Sequence, residues 1–299
     1  MSVHDPIVVK RAQPLREVVR GAARALAAAG VETPERDARL LAGAATGFEA
    51  AELIARPDRP VDEGARSRLA ELVRRRCARE PVSRILGARE FFGRSFALSP
   101  ATLDPRPDSE TLIETALAFV DENGWRTKPL RILDVGTGTG CLLVTLLAEL
   151  AHASGLGTDV NEEALEVATA NARRHGVAER AQFLRRSGLE GVDGPFDLLV
   201  CNPPYIASRE IAGLAPEVRD FDPPGALDGG PDGLHLFREM IPGLTRVIPC
   251  GYVVFEVGAG QADCVAQMLQ TIEGARQETI RRRKDLGGHS RCVAMEIQL

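Results

Sequence analysis

Apolar residues in the first third of the chain recur at helical spacing. From Leu15 they fall at Val18, Val19, Ala22 and Leu26, one face of a 3.6-residue period, and Gly30 stands where a left-handed C-terminal cap belongs. Thr33 followed by Pro34 fits an N-cap and first-turn proline for a second helix through Leu40, Leu41 and Ala45, stopping near Gly47. A third helix is predicted from about Asp62 to Cys77. These helices precede any convincing strand, so residues 1–90 read as a small helical domain.

Beyond Pro105 a proline-rich turn leads into a helix through Leu112, Ile113 and Leu117, broken by Gly124 and Pro129, so residues 91–129 read as a connecting segment and helix. From 130 to 299 the period switches. Short apolar runs at Arg131 to Val135, up to Asp159, at Gln182 to Leu184, Phe196 to Cys201 and Tyr252 to Val257 alternate with helical stretches at Leu142 to Leu150, Glu162 to Arg174, Leu234 to Val247 and Gln261 to Leu269. Terminal strands are predicted near Thr279 and Val293. Such alternation implies a mostly parallel sheet covered on both faces.

Composition adds limits rather than detail. With 44% hydrophobic and 26% charged residues the chain has ample material for a folded core. A formal charge of -5 argues against a protein that clings to nucleic acid over its whole surface. Between Arg66 and Arg94 lie nine arginines against three glutamates, a stretch that could face an anionic partner or simply be a solvated helix face. The six cysteines are dispersed, with no C-x-x-C pair, so neither a disulfide scaffold nor a zinc site is expected, and no metal is assigned. No apolar signal region opens the chain and no later run approaches the ~20 apolar residues of a membrane span, so a cytoplasmic protein is expected.

The first candidate chemistry lies between a predicted strand and a predicted helix. In Asp134-Val135-Gly136-Thr137-Gly138-Thr139-Gly140 three glycines let backbone approach a ligand without Cβ clashes, at the sheet edge where such folds bind them. It is not a phosphate-binding Walker loop, since no Gly-Lys-Ser/Thr follows, and the third glycine is misplaced for a dinucleotide fingerprint. Asp134 suits a ligand with positive charge and would repel a pyrophosphate. Asp159, ending the next strand, can accept hydrogen bonds from both hydroxyls of a ribose.

The second candidate is Asn202-Pro203-Pro204-Tyr205, placed where the fourth strand leaves the sheet. Two prolines fix φ and donate nothing, leaving neighbouring carbonyls rigid and free to accept. An amide or arylamine nitrogen is a poor nucleophile because its lone pair is delocalised. Were the Asn202 side-chain oxygen and the Pro203 carbonyl each to accept one N–H, the nitrogen would be held and its electron density raised, ready for in-line methyl transfer from a sulfonium. Tyr205 could pack flat on the planar group.

Together these segments make the chain resemble the peptide chain release factor glutamine methyltransferases, relatives of the ribosomal-protein glutamine methyltransferases. The likeness runs through Glu80-Pro81-Val82, Gly87-Ala88-Arg89-Glu90-Phe91-Phe92, Pro105-Arg106-Pro107-Asp108-Ser109-Glu110, the two motifs above, Glu217 to Pro223 and Gly229-Gly230-Pro231-Asp232-Gly233-Leu234. It implies a Rossmann-like seven-stranded methyltransferase sheet preceded by a small N-terminal helical domain that helps to dock the release factor. It implies S-adenosyl-L-methionine as cofactor, contacted by Gly136, Thr137, Gly138, Thr139, Gly140, Asp159, Gly188 and Asn202. Asn202, Pro203, Pro204 and Tyr205 would hold the glutamine amide of the Gly-Gly-Gln loop of class 1 release factors.

The likeness is not complete. Where the family commonly shows Asp-Trp after the third strand, with the aromatic against adenine, Arg186-Ser187-Gly188-Leu189 stands here, leaving Leu189 or the backbone of Ser187 and Gly188 for that task. Asp104 occupies a position where an apolar residue is expected, and Arg106 either supports the cofactor's side of the site or fixes the helix start beside Asp108. The long Asp-, Pro- and Gly-rich stretch from Glu217 to Asp232 suggests a loop over the site that admits or clamps the substrate. Because Asn-Pro-Pro-Tyr is shared with adenine and guanine amino-methyltransferases, a nucleic-acid substrate stays as an alternative, as does a ribosomal protein. No direct nucleic-acid substrate and no membrane partner is expected.

Overall fold

The computed structural model describes residues 13–285 and 287–299. The chain divides into two compact units, one ending at Leu86 and the other spanning Gly87–Leu299.

In the first unit, α1 (Leu15–Ala28) buries Leu15, Ala22 and Leu26, the stripe seen in the sequence. α2 (Pro34–Thr46) ends at Gly47 in the left-handed conformation and buries Ala38, Leu41 and Ala45. α4 (Glu63–Cys77) starts at Asp62, whose carboxylate accepts from the Ala65 N–H at 2.8 Å. Shorter elements escaped the periodicity: α3 (Ala50–Ala55), α5 (Val82–Leu86), and a two-residue pairing of β1 (Gln13–Pro14) with β2 (Pro60–Val61). Inside this bundle the Arg76 guanidinium donates to Asp37 at 2.8 Å, a buried ion pair joining α4 to α2.

The second unit opens with a hairpin that the sequence did not announce, β3 (Ala88–Phe91) and β4 (Arg94–Ala97). After α6 (Glu110–Glu122) comes the alternation: β5 (Arg131–Val135), α7 (Cys141–Glu149), β6 (Ser154–Asp159), α8 (Glu162–Arg174), β7 (Ala181–Arg185) and β8 (Leu198–Cys201). Then follow α9 (Pro216–Arg219), α10 (His235–Met240), α11 (Leu244–Val247), β9 (Cys250–Glu256), α12 (Ala262–Gln270), β10 (Arg281–Lys284) and β11 (Ser290–Gln298). The single helix predicted over Leu234 to Val247 is broken around Pro242, which lacks the N–H a continuous helix needs.

The seven-stranded sheet runs in the order β10-β11-β9-β8-β5-β6-β7. β5 to β9 are parallel, and β11 and β10 close one edge antiparallel. Successive residues of a strand face opposite sides, which explains the unbroken apolar runs. Ile132, Leu198, Val200 and Val254 pack beneath α6 and α7, whereas Leu133, Leu199, Val253 and Phe255 pack beneath α10, α11 and α12. Each such side chain contributes roughly 1.5–3 kcal/mol by leaving water.

The chain travels outward from β5 through β6 to β7, then returns to place β8 on the other side of β5. That reversal opens a crevice at the carboxyl ends of β5 and β8. The loops leaving those two strands carry the two motifs.

Candidate active site

On the β5 side the backbone folds back upon itself. The N–H groups of Gly136 and Thr137 both donate to the Thr158 carbonyl at 2.8 Å, which fastens the loop to the end of β6. Gly136, Gly138 and Gly140 adopt φ of 73°, 54° and 78°, values that side chains resist. At Gly140 a Cβ would also lie 3.1 Å from that of Ala168, so the loop rests directly on α8. Thr139 is buried, and its carbonyl accepts from Asn171 of α8 at 2.9 Å.

Asp159 organises this loop from below. One of its oxygens accepts the Gly138 N–H at 2.9 Å and the other the Asn161 N–H at 2.9 Å. Each oxygen keeps a further lone pair. Asp134 is fully enclosed and receives the Thr137 hydroxyl at 2.6 Å. Burial pushes its carboxyl up to about 7 against the opposing effect of that hydrogen bond.

Beside Asp159, Val160 is 61% exposed and borders a cleft with Arg186, Ser187 and Glu190. Its only signal in the sequence is a large aliphatic residue directly after the strand-ending acid. Leu189, considered there for adenine, is turned into the core. Gly188 has φ of 50°, and a Cβ on it would meet Leu236 and Met240.

On the β8 side the Asn-Pro-Pro-Tyr backbone borders a cleft of about 290 Å³, lined by Leu103, Pro107, Ile206, Leu214, Val218 and Leu227 among others. The Asn202 amide donates from Nδ2 to the Ser109 hydroxyl at 3.1 Å. Among the described residues its Oδ1 and the Pro203 carbonyl have no hydrogen-bond partner. The Tyr205 hydroxyl donates to Glu256 at 3.2 Å, and its carbonyl accepts from Gln261 at 2.9 Å. Burial, with the Glu256 charge beside it, pushes the Tyr205 phenol up.

The long segment after Tyr205 is pressed onto this motif. A Cβ on Gly233, where φ is 77°, would stand 2.2 Å from the Tyr205 carbonyl, and one on Gly229 would stand 2.6 Å from that of Pro204. Glycine is required by contact as well as conformation. Arg106 stands at the N-cap of the turn Pro107–Ser109 and lines the same cleft. It forms an ion pair with the buried Asp222, whose other oxygen accepts the Asp104 N–H at 3.3 Å. Asp104 is itself buried, with the Arg89 guanidinium 3.8 Å away, which explains a carboxylate where an apolar side chain was expected. Segment 103–106 thereby anchors the substrate-side loop.

Several of the nine arginines from Arg66 to Arg94 have carboxylate partners within their own unit. The break between the two units falls within this stretch, and Arg66, Arg74, Arg75, Arg76 and Arg94 are paired with Glu63, Glu71, Glu80, Asp37 and Glu149.

Residues 17–87 match a family described as the PrmC N-terminal domain, and residues 114–216 match the Methyltransferase small domain. A curated relative from Bradyrhizobium diazoefficiens, named release factor glutamine methyltransferase, is 44% identical over 98% of this chain and 97% of its own length. The chain belongs to the release factor glutamine methyltransferase family. Another member, from Rhodospirillum rubrum, is 47% identical over 92% of this chain and 82% of its own. Among solved structures, the hMettl16 catalytic domain in complex with the MAT2A 3'UTR hairpin 6 matches with a TM-score of 0.56 at 18% identity, covering 72% of this chain and 80% of that one. At that identity the likeness speaks for the fold alone, the same parallel-sheet methyltransferase core.

Proposed function

We propose that this member of the family transfers a methyl group from S-adenosyl-L-methionine to the side-chain amide nitrogen of the glutamine in the Gly-Gly-Gln loop of peptide chain release factors. One observation carries the reading: two rigid acceptors without partners, Asn202 Oδ1 and the Pro203 carbonyl, border a cleft beside the glycine loop. Two acceptors match the two N–H groups of a primary amide.

The residues after β5 and β6 suit the cofactor. The left-handed glycines make a cradle that any Cβ would fill, and Asp159 has lone pairs to spare for a ribose. We assign Gly136, Thr137, Gly138, Thr139, Gly140, Asp159, Gly188 and Asn202 to its binding, and add Val160 as the aliphatic surface for adenine in place of the family's aromatic. When bound, S-adenosyl-L-methionine supplies a methyl group on a positively charged sulfur.

The chain's own part is positioning and electrostatics. Asn202 and Pro203 each accept one N–H of the glutamine, which aligns the nitrogen and raises its electron density. Pro204 stiffens that turn, Tyr205 walls the amide plane, and the apolar lining of the cleft displaces water. No side-chain base is required, since the nitrogen becomes strongly acidic once methylated. The substrate is a protein rather than a nucleic acid on this reading, and translation places the work in the cytoplasm. No described helix is long and apolar enough to cross a membrane.

The test is transfer of radiolabelled methyl from S-adenosyl-L-methionine to purified release factor, beside a factor whose Gly-Gly-Gln glutamine is alanine, a ribosomal-protein substrate and DNA. Label is expected on the intact factor only. Label retained by the alanine factor, or found on DNA alone, would overturn the proposal.

A further inference from the structure

The acceptor motif is tied into a chain of polar groups from three distant parts of the sequence. Ser109, just before α6, and Glu256, the last residue of β9, are 2% and 1% exposed. Ser109 receives the Asn202 amide at 3.1 Å, and Glu256 receives the Tyr205 hydroxyl on Oε1 at 3.2 Å. The second carboxylate oxygen, Oε2, is enclosed and makes no bond of full hydrogen-bonding geometry, while the Ser109 hydroxyl is the nearby group that most favours its charge.

Donor and acceptor roles along this chain are constrained. An ionised carboxylate only accepts, so the Ser109 proton is drawn toward Glu256 and the serine oxygen is left as an acceptor. It can then take a proton only from the NH2 end of Asn202. The amide oxygen is thereby left as the end available to substrate. Were the amide reversed, its NH2 would confront the NH2 of the incoming glutamine.

We propose that Glu256, acting through Ser109, is a positioning residue that fixes which end of the Asn202 amide is presented to the acceptor nitrogen, and that through Tyr205 it holds the opposite wall of the same cleft. The inference rests on the reading of Asn202 given above. A carboxylate inside an otherwise apolar strand is costly unless paired, and no requirement of the sheet itself explains it.

The same relay makes activity depend on the charge of Glu256. Burial pushes its carboxyl up to about 7, with Ser109, Tyr205 and Arg291 of β11 pulling it down and Asp108 pushing it further up. The thiols of Cys141, Cys201 and Cys292 also feel its charge, and burial holds all three well above their ordinary range, so they stay neutral. Once protonated, Glu256 can itself donate to Ser109, which frees the serine proton to turn toward Asn202 and favours the reversed amide. The maximal rate should therefore fall as pH drops through about 7.

The experiment measures kcat on release factor at saturating S-adenosyl-L-methionine and factor, from pH 6 to 9, for wild type, Ser109→Ala, Ser109→Thr and Glu256→Gln. Activity of wild type on the factor comes first, and its absence would sink the function proposed above rather than the relay. Ser109→Ala and Glu256→Gln should lower kcat by about 100-fold through misplacement of one acceptor, with cofactor affinity and KM for the factor within about three-fold of wild type. Ser109→Thr should restore most of the rate, and the acid limb should vanish in Glu256→Gln. An acid limb unchanged in Glu256→Gln, or a Ser109→Ala enzyme as fast as wild type, would overturn the relay. Glu256→Gln is isosteric and neutral, so it decides the matter even where Ser109→Ala does not fold.

Discussion

The loop after β5 and the loop after β8 lie side by side at the carboxyl edge of the sheet, yet they are held in place by different means. The glycine loop is secured mostly by its own neighbourhood: Asp134, Thr158 and Asp159 supply the acceptors, with Asn171 of α8 bracing Thr139. The Asn-Pro-Pro-Tyr loop is secured by Ser109, Gly229, Gly233, Glu256 and Gln261, none of them within twenty residues of it. The anchors of the glycine loop all fall between residues 134 and 171, whereas those of the acceptor loop are drawn from residues 109 to 261. An acceptor site whose hydrogen-bond polarity matters must be assembled by the whole unit, so it should be the more easily damaged from a distance.

The largest effect expected from this contrast is on the acceptor side. Asn202→Ala removes one of two acceptors that matter only when the amide nitrogen is reacting, and kcat should fall by about 100- to 1000-fold. Equilibrium binding of S-adenosyl-L-methionine, followed calorimetrically, should weaken far less, because Asn202 is one of eight residues assigned to the cofactor and the glycine loop and Asp159 stay intact. If affinity for the cofactor collapsed in step with kcat, the two loops would have to be regarded as one site rather than two.

Asp159→Ala makes the converse change. Removing a carboxylate that anchors Gly138 and is free to accept two ribose hydroxyls should weaken cofactor affinity by about 100-fold, as charge-assisted hydrogen bonds contribute about 1.5–3 kcal/mol each. The rate at saturating cofactor should stay within about ten-fold of wild type. A variant with normal affinity and a crippled kcat would reverse the division of labour.

Gly233→Ala sharpens the point about distance. Its Cβ cannot coexist with the Tyr205 carbonyl, and its φ of 77° is unfavourable to alanine. The substrate-side segment must lift, costing about 1–3 kcal/mol of stability in urea unfolding and raising KM for release factor, with cofactor binding intact. Wild-type KM in this variant would show that the segment does not shape the acceptor cleft.

What could be read from the sequence follows the same division. The glycine loop, Asp159 and the acceptor tetrapeptide are short, contiguous and placed by the strand pattern, so periodicity found them. β6 was a faint signal because Gly155 and Gly157 interrupt it, and the structure shows why they are there: a Cβ would stand 2.4 Å from Leu143 of α7 and 2.7 Å from Phe183 of β7. The hairpin of β3 and β4 was missed because four-residue strands carry too little pattern, and the break in the helix after Leu234 because Pro242 was not weighed against the apolar spacing. The ion-pair partner of Arg106, Asp222, lies far along the chain, beyond the reach of any local pattern. Glu256 left a trace, a lone acid in the apolar run Tyr252 to Val257. Its meaning depends on Ser109, which only the fold brings near.

The smallest expected effect concerns Asp134, the one carboxylate of the glycine loop that is wholly enclosed. Its folded-state value of about 7 lies above the ordinary aspartate range because burial disfavours the charge. A raised carboxyl contributes stability that is full below its unfolded value near 4 and is lost as pH rises through about 7. A cationic ligand nearby favours the ionised form and reverses part of that loss. Binding of S-adenosyl-L-methionine should therefore release a fraction of a proton near neutrality, and its affinity should tighten by about three-fold between pH 6 and 8, a modest change because Asp134 is wholly enclosed. Calorimetry in two buffers of different ionisation enthalpy measures that proton directly. Asp134→Asn should flatten the dependence while Glu256→Gln leaves it unchanged, since Glu256 serves the acceptor loop. If the two variants exchanged these behaviours, the assignment of one buried carboxylate to each loop would be wrong.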